Sequence, residues 1–188
     1  ENKDIPTLTS YLPAIASGET SLIKILSNLF YRLRLPNDKE IRETLERLAF
    51  YKDVNSYSKF ILGEMEKHQA KVSVDFHDPL VTIEHIMPQT LNEVWRSELG
   101  EEHAEEIHQH YLHNIGNLIL TEFNGEMGNK SFADKKARLA TSNIGYSHDI
   151  CQYEQWSEES ILDHQDRMIS LFLDTFALPD EYKQTNNW

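Results

Sequence analysis

The sequence has a single cysteine, Cys151. It therefore holds no internal disulfide framework and no cysteine-built zinc module, and a lone thiol fits a reducing, intracellular setting. Long apolar runs are also missing. The longest are short, such as Leu118-Ile119-Leu120 and Leu171-Phe172-Leu173, against the roughly 20 residues that a spanning helix needs. A membrane partner and a signal segment are not expected. Basic residues are scarce: 18 Lys and Arg stand against 31 Asp and Glu, a net charge of −13. That excludes a polybasic binder whose affinity comes from bulk positive charge. No repeat and no low-complexity tract is present. What remains is ordinary. Apolar residues make up 39% of 188, enough for one domain with a real core and a helical appendage. The first residue is Glu1 rather than methionine, and the sequence reads as a domain of a larger protein.

The first third predicts helices. Thr20 is placed to cap a helix carrying Leu22, Ile23, Leu26, Leu29, Phe30 and Leu33, ending at Pro36. Asn37-Asp38-Lys39-Glu40 has the form of a capping box, opening a helix that presents Ile41, Leu45, Leu48 and Ala49. A third helix is expected from about Ser58 to Lys67, with Phe60, Ile61, Leu62 and Met65 inward. Nothing in residues 1–70 looks chemical. Residues 1–75 read as a helical support or linker, and 76–188 as the functional domain.

The middle changes character. Leu80-Val81-Thr82-Ile83 reads as a strand entry stopped by Pro88. Residues 91–112 are acidic and helical in tendency. Asn117 to Thr121 reads as a second strand, followed by a turn at Asn124, Gly125, Gly128 and Asn129. Ser131 caps a short basic helix to about Ala140. After a loop around Gly145, Ser157 caps a long helix with Ile161, Met168, Ile169, Phe172, Leu173 and Phe176 inward, ended by Pro179.

Chemistry concentrates in one ordered constellation. Ile83-Glu84-His85-Ile86-Met87-Pro88-Gln89 is followed, about thirty residues later, by Ile115-Gly116-Asn117-Leu118-Ile119-Leu120. Then come Asn124, Asn129-Lys130-Ser131-Phe132 and Lys135-Lys136. Strand, strand, helix in that order is a ββα arrangement suited to phosphodiester hydrolysis. A neutral imidazole can take a proton from water. A carboxylate and an amide carbonyl are hard oxygen ligands suited to Mg²⁺. Lysines offset charge on phosphoryl oxygens. A net basic stretch, Asn129 to Arg138 at +3, coincides with the helix of this constellation.

The string Glu-His-Ile-Met-Pro-Gln, then Trp95, Gly-Asn-Leu-Ile-Leu, Asn-x4-Asn-Lys-Ser-Phe, Lys-Lys and Trp156-Ser157 resembles the His-Asn-His (His-Me finger) nucleases. More narrowly it resembles the C-terminal nuclease domain of GmrSD-type, modification-dependent restriction endonucleases, a group related to the nucleases of phosphorothioate-linked phage defence. The core of the match is 80–137, with looser likeness over 55–175.

The resemblance implies an α+β, mainly helical fold with a ββα-metal core flanked by helices. It implies a Mg²⁺-dependent DNA endonuclease, with Mn²⁺ as a substitute, that nicks to leave a 5′-phosphate and a 3′-hydroxyl. His85 would be the general base and Asn117 would hold its strand. Asn124 is the first candidate for a side-chain metal ligand, with Asn129 as the second. Glu84 stands where an Asp ligand is frequent. Lys130, Lys135, Lys136 and Arg138 would face phosphates. Adjacent residues of a strand point to opposite faces, so Glu84 and His85 reach one metal only if the strand ends or twists there.

The resemblance implies an N-terminal nucleotide-hydrolysing sensor domain outside this chain, in a prokaryotic cytoplasm. The chain itself carries no Gly-rich phosphate loop, so no nucleotide hydrolysis is expected of it. A catalytically dead binding module, an RNA-cleaving effector and a purely structural helical domain remain alternatives.

Elsewhere the expectation is structural. His103, His108, His110 and His113 read as a solvated helix face, although two of them could chelate a metal. Glu101, Glu102, Glu105 and Glu106 read as an exposed acidic face. Trp95 and Trp156 read as core, and Cys151 as non-catalytic.

Overall fold

In a computed structural model, residues 8–33, 36–70, 75 and 77–178 are described. The chain divides into two compact units, one within residues 1–41 and 176–188, the other Arg42–Thr175. Among the described residues no helix is long and apolar enough to cross a membrane.

The smaller unit is helical. It contains α1 (Leu12–Ala16) and α2 (Leu22–Leu33). Ser21 caps α2 by accepting from the Lys24 N–H at 3.2 Å, so the cap is one residue later than the sequence suggests. Leu22 and Ile23 are exposed and Ile25 is buried. The side chains of Leu29, Phe30 and Leu33 lie outside the described set, as does Pro179. Next comes α3 (Asp38–Arg47), which runs into the larger unit. Its capping box forms as expected: the Asn37 N–H donates to Glu40 and the Glu40 N–H donates to Asn37 Oδ1, both at 2.9 Å.

The larger unit is a two-stranded antiparallel sheet enclosed by helices. Strand β1 is Thr82–His85 and β2 is Leu118–Thr121, with Ile83 opposite Leu120 and His85 opposite Leu118. The first strand starts two residues later than expected, and Leu80 is exposed. Every residue of β2 is buried, which matches an uninterrupted apolar run rather than an alternating one. Around the sheet lie α4 (Phe50–Asp53) and α5 (Ser58–Gln69). The acidic stretch forms α6 (Glu93–Leu99) and α7 (Ala104–Tyr111). Beyond β2 come α8 (Asn124–Met127), α9 (Phe132–Leu139), α10 (Gly145–Cys151) and α11 (Glu158–Thr175).

Three features depart from expectation. Helix α5 turns Leu62 and Met65 inward but leaves Phe60 57% exposed. The segment around Gly145 is a helix rather than a loop. Glu66, fully buried on α5, accepts from the Gly145 and Tyr146 N–H groups, and so satisfies orphan donors of the first turn of α10. Finally, α11 ends at Thr175, and Phe176 is exposed.

The segment from Arg42 to Gln69 lies within the larger unit. Tyr146 Oη donates to the Leu62 carbonyl, and Asn114 and Gln165 both donate to the Glu46 carbonyl.

Candidate active site

The loop leaving β1 has a polar-group problem. Pro88 brings no N–H, and the Met87 backbone is buried, so its donor and acceptor need partners. Asn117 supplies both. Its Oδ1 accepts from the Met87 N–H at 2.7 Å and from the Trp156 indole at 3.1 Å. Its Nδ2 donates to the carbonyls of Met87 at 2.9 Å and Leu112 at 3.0 Å. Both lone pairs and both protons of the amide are used. The Ile86 N–H adds a bond to the Asn117 carbonyl. His85 is thereby held at the end of β1, beside a rigid loop.

Glu84 and His85 both line one cleft at the end of β1. Glu84 is buried and takes Lys135 Nζ at 2.6 Å; Lys135 is fully buried and also donates to the His85 carbonyl at 2.8 Å. Burial raises the Glu84 carboxyl and lowers the Lys135 ammonium from their usual ranges, and each partner offsets the other's shift. Glu84 itself lines the cleft that His85 borders, and Lys135 donates to its Oε1. One expectation is corrected: Lys135 is turned inward to Glu84 and the His85 carbonyl rather than toward a phosphate. The signal was in the sequence: Phe132, Lys135 and Leu139 share one stripe of α9 at three- and four-residue spacing, and all three are buried.

The other cations of that helix are engaged too. Lys136 Nζ donates to the Tyr153 carbonyl, and Arg138 makes two bonds to Glu126 while lying over the Phe123 ring at 3.5 Å. Lys130 is exposed, and among the described residues its ammonium has no ion-pair partner. Of the four cations of the +3 stretch, Lys135 and Arg138 are paired with carboxylates, which reduces the positive charge it offers.

His85 and Glu84 line a cleft of about 180 Å³ walled further by Tyr51, Pro88, Gln89, Asn124 and Asn129. Asn124 Nδ2 donates to the Ile83 carbonyl at 2.8 Å, so Oδ1 is the atom left for a ligand. Asn129 is exposed, and its carbonyl accepts from Asn92 at 2.9 Å. The loop before α9 is braced by α6, where the Trp95 indole donates to the Lys130 carbonyl and Glu98 accepts from the Phe132 N–H. Trp95 and Trp156 are core, as expected.

The histidine stretch is the larger surprise. His103 and His110 are exposed, but His108 bonds the Pro88 carbonyl at 2.9 Å. His113 lies past the end of α7, and its Nδ1 is 3.2 Å from His85 Nε2. Tyr51 packs edge-on against His85 and stacked on His113. Burial, with His113, Lys135 and His108 adding to it, pushes His85 down to about 3, so its ring is neutral at pH 7. Sequence spacing gave no signal for Tyr51, which comes from a segment thirty residues upstream of the motif.

Residues 35–171 match the family model for the C-terminal domain of GmrSD restriction endonucleases. The chain belongs to that family. No curated protein and no solved structure matches it. The GmrSD-type domain is thus a nuclease-type hydrolase domain of a restriction system, with DNA as the implied substrate.

Among the described residues of this GmrSD-type domain, no three His, Cys, Asp or Glu side chains gather to hold a metal. The cleft presents the Glu84 carboxylate and amide oxygens, chiefly Asn124 Oδ1. Mg²⁺ keeps several waters and uses one or two protein oxygens beside substrate phosphate, so this sparse donor set fits a hydrated Mg²⁺. It does not fit zinc, which favours nitrogen and sulfur ligands in a closed tetrahedron.

Proposed function

We propose that the cleft hydrolyses DNA phosphodiester bonds one strand at a time, with His85 as general base. The observation that carries this reading is a neutral imidazole whose Nε2 is engaged by His113 and whose ring borders a polar cleft. Nδ1 is then the proton acceptor. The water oxygen bonds to phosphorus as its proton passes to His85 Nδ1. The bond from phosphorus to the 3′ oxygen breaks, and that oxygen leaves with the electron pair and takes a proton from solvent. A 5′-phosphate and a 3′-hydroxyl result. Asn124, with Asn129 beside it, would hold Mg²⁺, which when bound supplies Lewis-acid stabilisation of phosphoryl charge. Asn117 and Lys135 fix the backbone that carries His85.

A net charge of −13 and the pairing of Lys135 and Arg138 with carboxylates weaken non-specific attraction to DNA. That favours delivery by another domain, and the reading includes a nucleotide-hydrolysing sensor in the same protein that performs it.

Nicking of supercoiled plasmid tests the reading. Conversion to open circle is expected with Mg²⁺ or Mn²⁺ and not with EDTA. His85→Ala should lower the rate by about 10²–10⁴-fold, the usual worth of a positioned general base. Equal cutting by wild type and variant, or cutting unaffected by EDTA, would overturn it.

A further inference from the structure

A neutral imidazole carries one N–H, and it can act as a base only through the other nitrogen. At His85 the choice is set by what faces Nε2. That partner is His113 Nδ1, at 3.2 Å, with the two rings edge-to-face at 82° and 5.3 Å between centroids. One hydrogen lies between these two nitrogens. If His113 owned it, His85 would carry its own proton on Nδ1 and could accept nothing from a water in the cleft. If His85 owns it, Nδ1 bears a lone pair and the ring is armed. His113 is only half-buried, so its own proton can sit on Nε2 with access to water, leaving Nδ1 as an acceptor.

The geometry points to His113 as the positioning residue that holds His85 in the Nε2–H tautomer and receives its hydrogen bond throughout the reaction. This rests on the reading of His85 as general base. When His85 Nδ1 takes the proton of the attacking water, the ring becomes an imidazolium. Its Nε2–H then donates to His113 Nδ1 as a charge-assisted bond, stronger than the neutral one it replaces. A buried carboxylate does the same for the histidine of a serine protease triad. Here a second, neutral imidazole does it. Tyr51 keeps the pair in place: its ring lies 5.7 Å from His113 at an interplanar angle of 15°, and 4.6 Å from His85 edge-on. Its backbone N–H donates to the His113 carbonyl at 3.1 Å, tying α4 to the loop that carries His113.

Two substitutions separate the hydrogen bond from the packing. His113→Asn keeps an acceptor oxygen near the place of Nδ1 and loses the stacked ring. His113→Phe keeps a ring against Tyr51 and loses the acceptor. The whole chain is used in both measurements. In nitrogen-15 NMR of the histidine rings at pH 7, wild type and His113→Asn should show His85 as the Nε2–H tautomer. His113→Phe should show a mixture or the reverse tautomer. In plasmid nicking, His113→Phe should lose about 10–100-fold in kcat with KM little changed, a loss usual for an outer partner of a reacting group. His113→Asn should recover most of it. His85 found as the Nδ1–H tautomer in wild type would overturn the proposal, as would His113→Phe outperforming His113→Asn. The NMR result stands even if the chain cuts no plasmid, so failure of this assignment is distinct from failure of the nuclease reading.

Discussion

His164 lies on α11 with its imidazole enclosed by Trp156 and Tyr153. Its Nδ1 bonds the Gly116 carbonyl at 2.7 Å, and a carbonyl only accepts, so the proton is on Nδ1. Nε2 is buried without a partner among the described residues. Burial, aided by Arg167, pushes the group down to about 4, against the opposing pull of Gly116 and Asp163. The folded group therefore titrates below the unfolded value near 6.5. Its contribution to stability is complete above pH 6.5 and is lost as the pH falls from 6.5 through 4, because the unfolded chain binds the proton first. The loss should be on the order of 2–3 kcal/mol. Urea unfolding at pH 7 and at pH 4 should show a clearly flatter pH dependence for His164→Asn, which keeps an N–H for Gly116 and does not titrate. Identical slopes would remove His164 from the account. At this scale the sequence was partly legible. Strand alternation predicted Glu84 and His85 on opposite faces, yet both reach one cleft where the strand ends at His85. It did not place Lys135 beneath them, because a lysine in a basic run reads as solvated until the helix stripe it shares with Phe132 and Leu139 is weighed. His113 was hidden by its neighbours in a histidine-rich acidic stretch.

The elements that carry the site meet at one close approach. The short 3₁₀ turn Ile115–Asn117 presses on α11 so tightly that a Cβ on Gly116 would stand 2.5 Å from the Ile161 carbonyl and 2.7 Å from Gln165 Cβ. The first of these is helix backbone and has little freedom to yield. Gly116→Ala should cost about 1–3 kcal/mol, the usual range for overpacking. It should also lower nicking, since Asn117 is the next residue. A chemical denaturation midpoint equal to that of wild type would show that the turn has more room. Helix starts with local caps were readable: the box at Asn37 and Glu40, and Ser131 before α9, which accepts from the Asp134 N–H. Helix α10 was not readable, because its N-terminal partner is Glu66, 79 residues away in the chain. The turn at Asn124 was seen as a turn and is a single turn of helix, closed by Gly128 at φ +43°, a backbone region that favours glycine.

Across the whole molecule the charge is −13, yet the cations nearest the cleft are few. Lys130 and Lys52 are exposed, and Lys52 is close enough to His113 to disfavour a charge there. Neutralising two phosphates gives a slope of about −2 in a plot of log affinity against log salt for duplex DNA. Titrations of labelled duplex between 50 and 200 mM salt should give a slope no steeper than that, and one near −5 would mean that a larger basic surface meets the DNA. The acidic balance was plain in the sequence, whereas the internal use of its cations required the fold. Tyr51 and its tie to His113 carry a consequence for engineering. The recognisable motif runs from about 80 to 137, but the ring that packs both histidines enters from α4. A graft of the motif alone onto another scaffold would transplant the base without the wall that orients it. A transferable unit has to carry Tyr51 and α4 together with the motif.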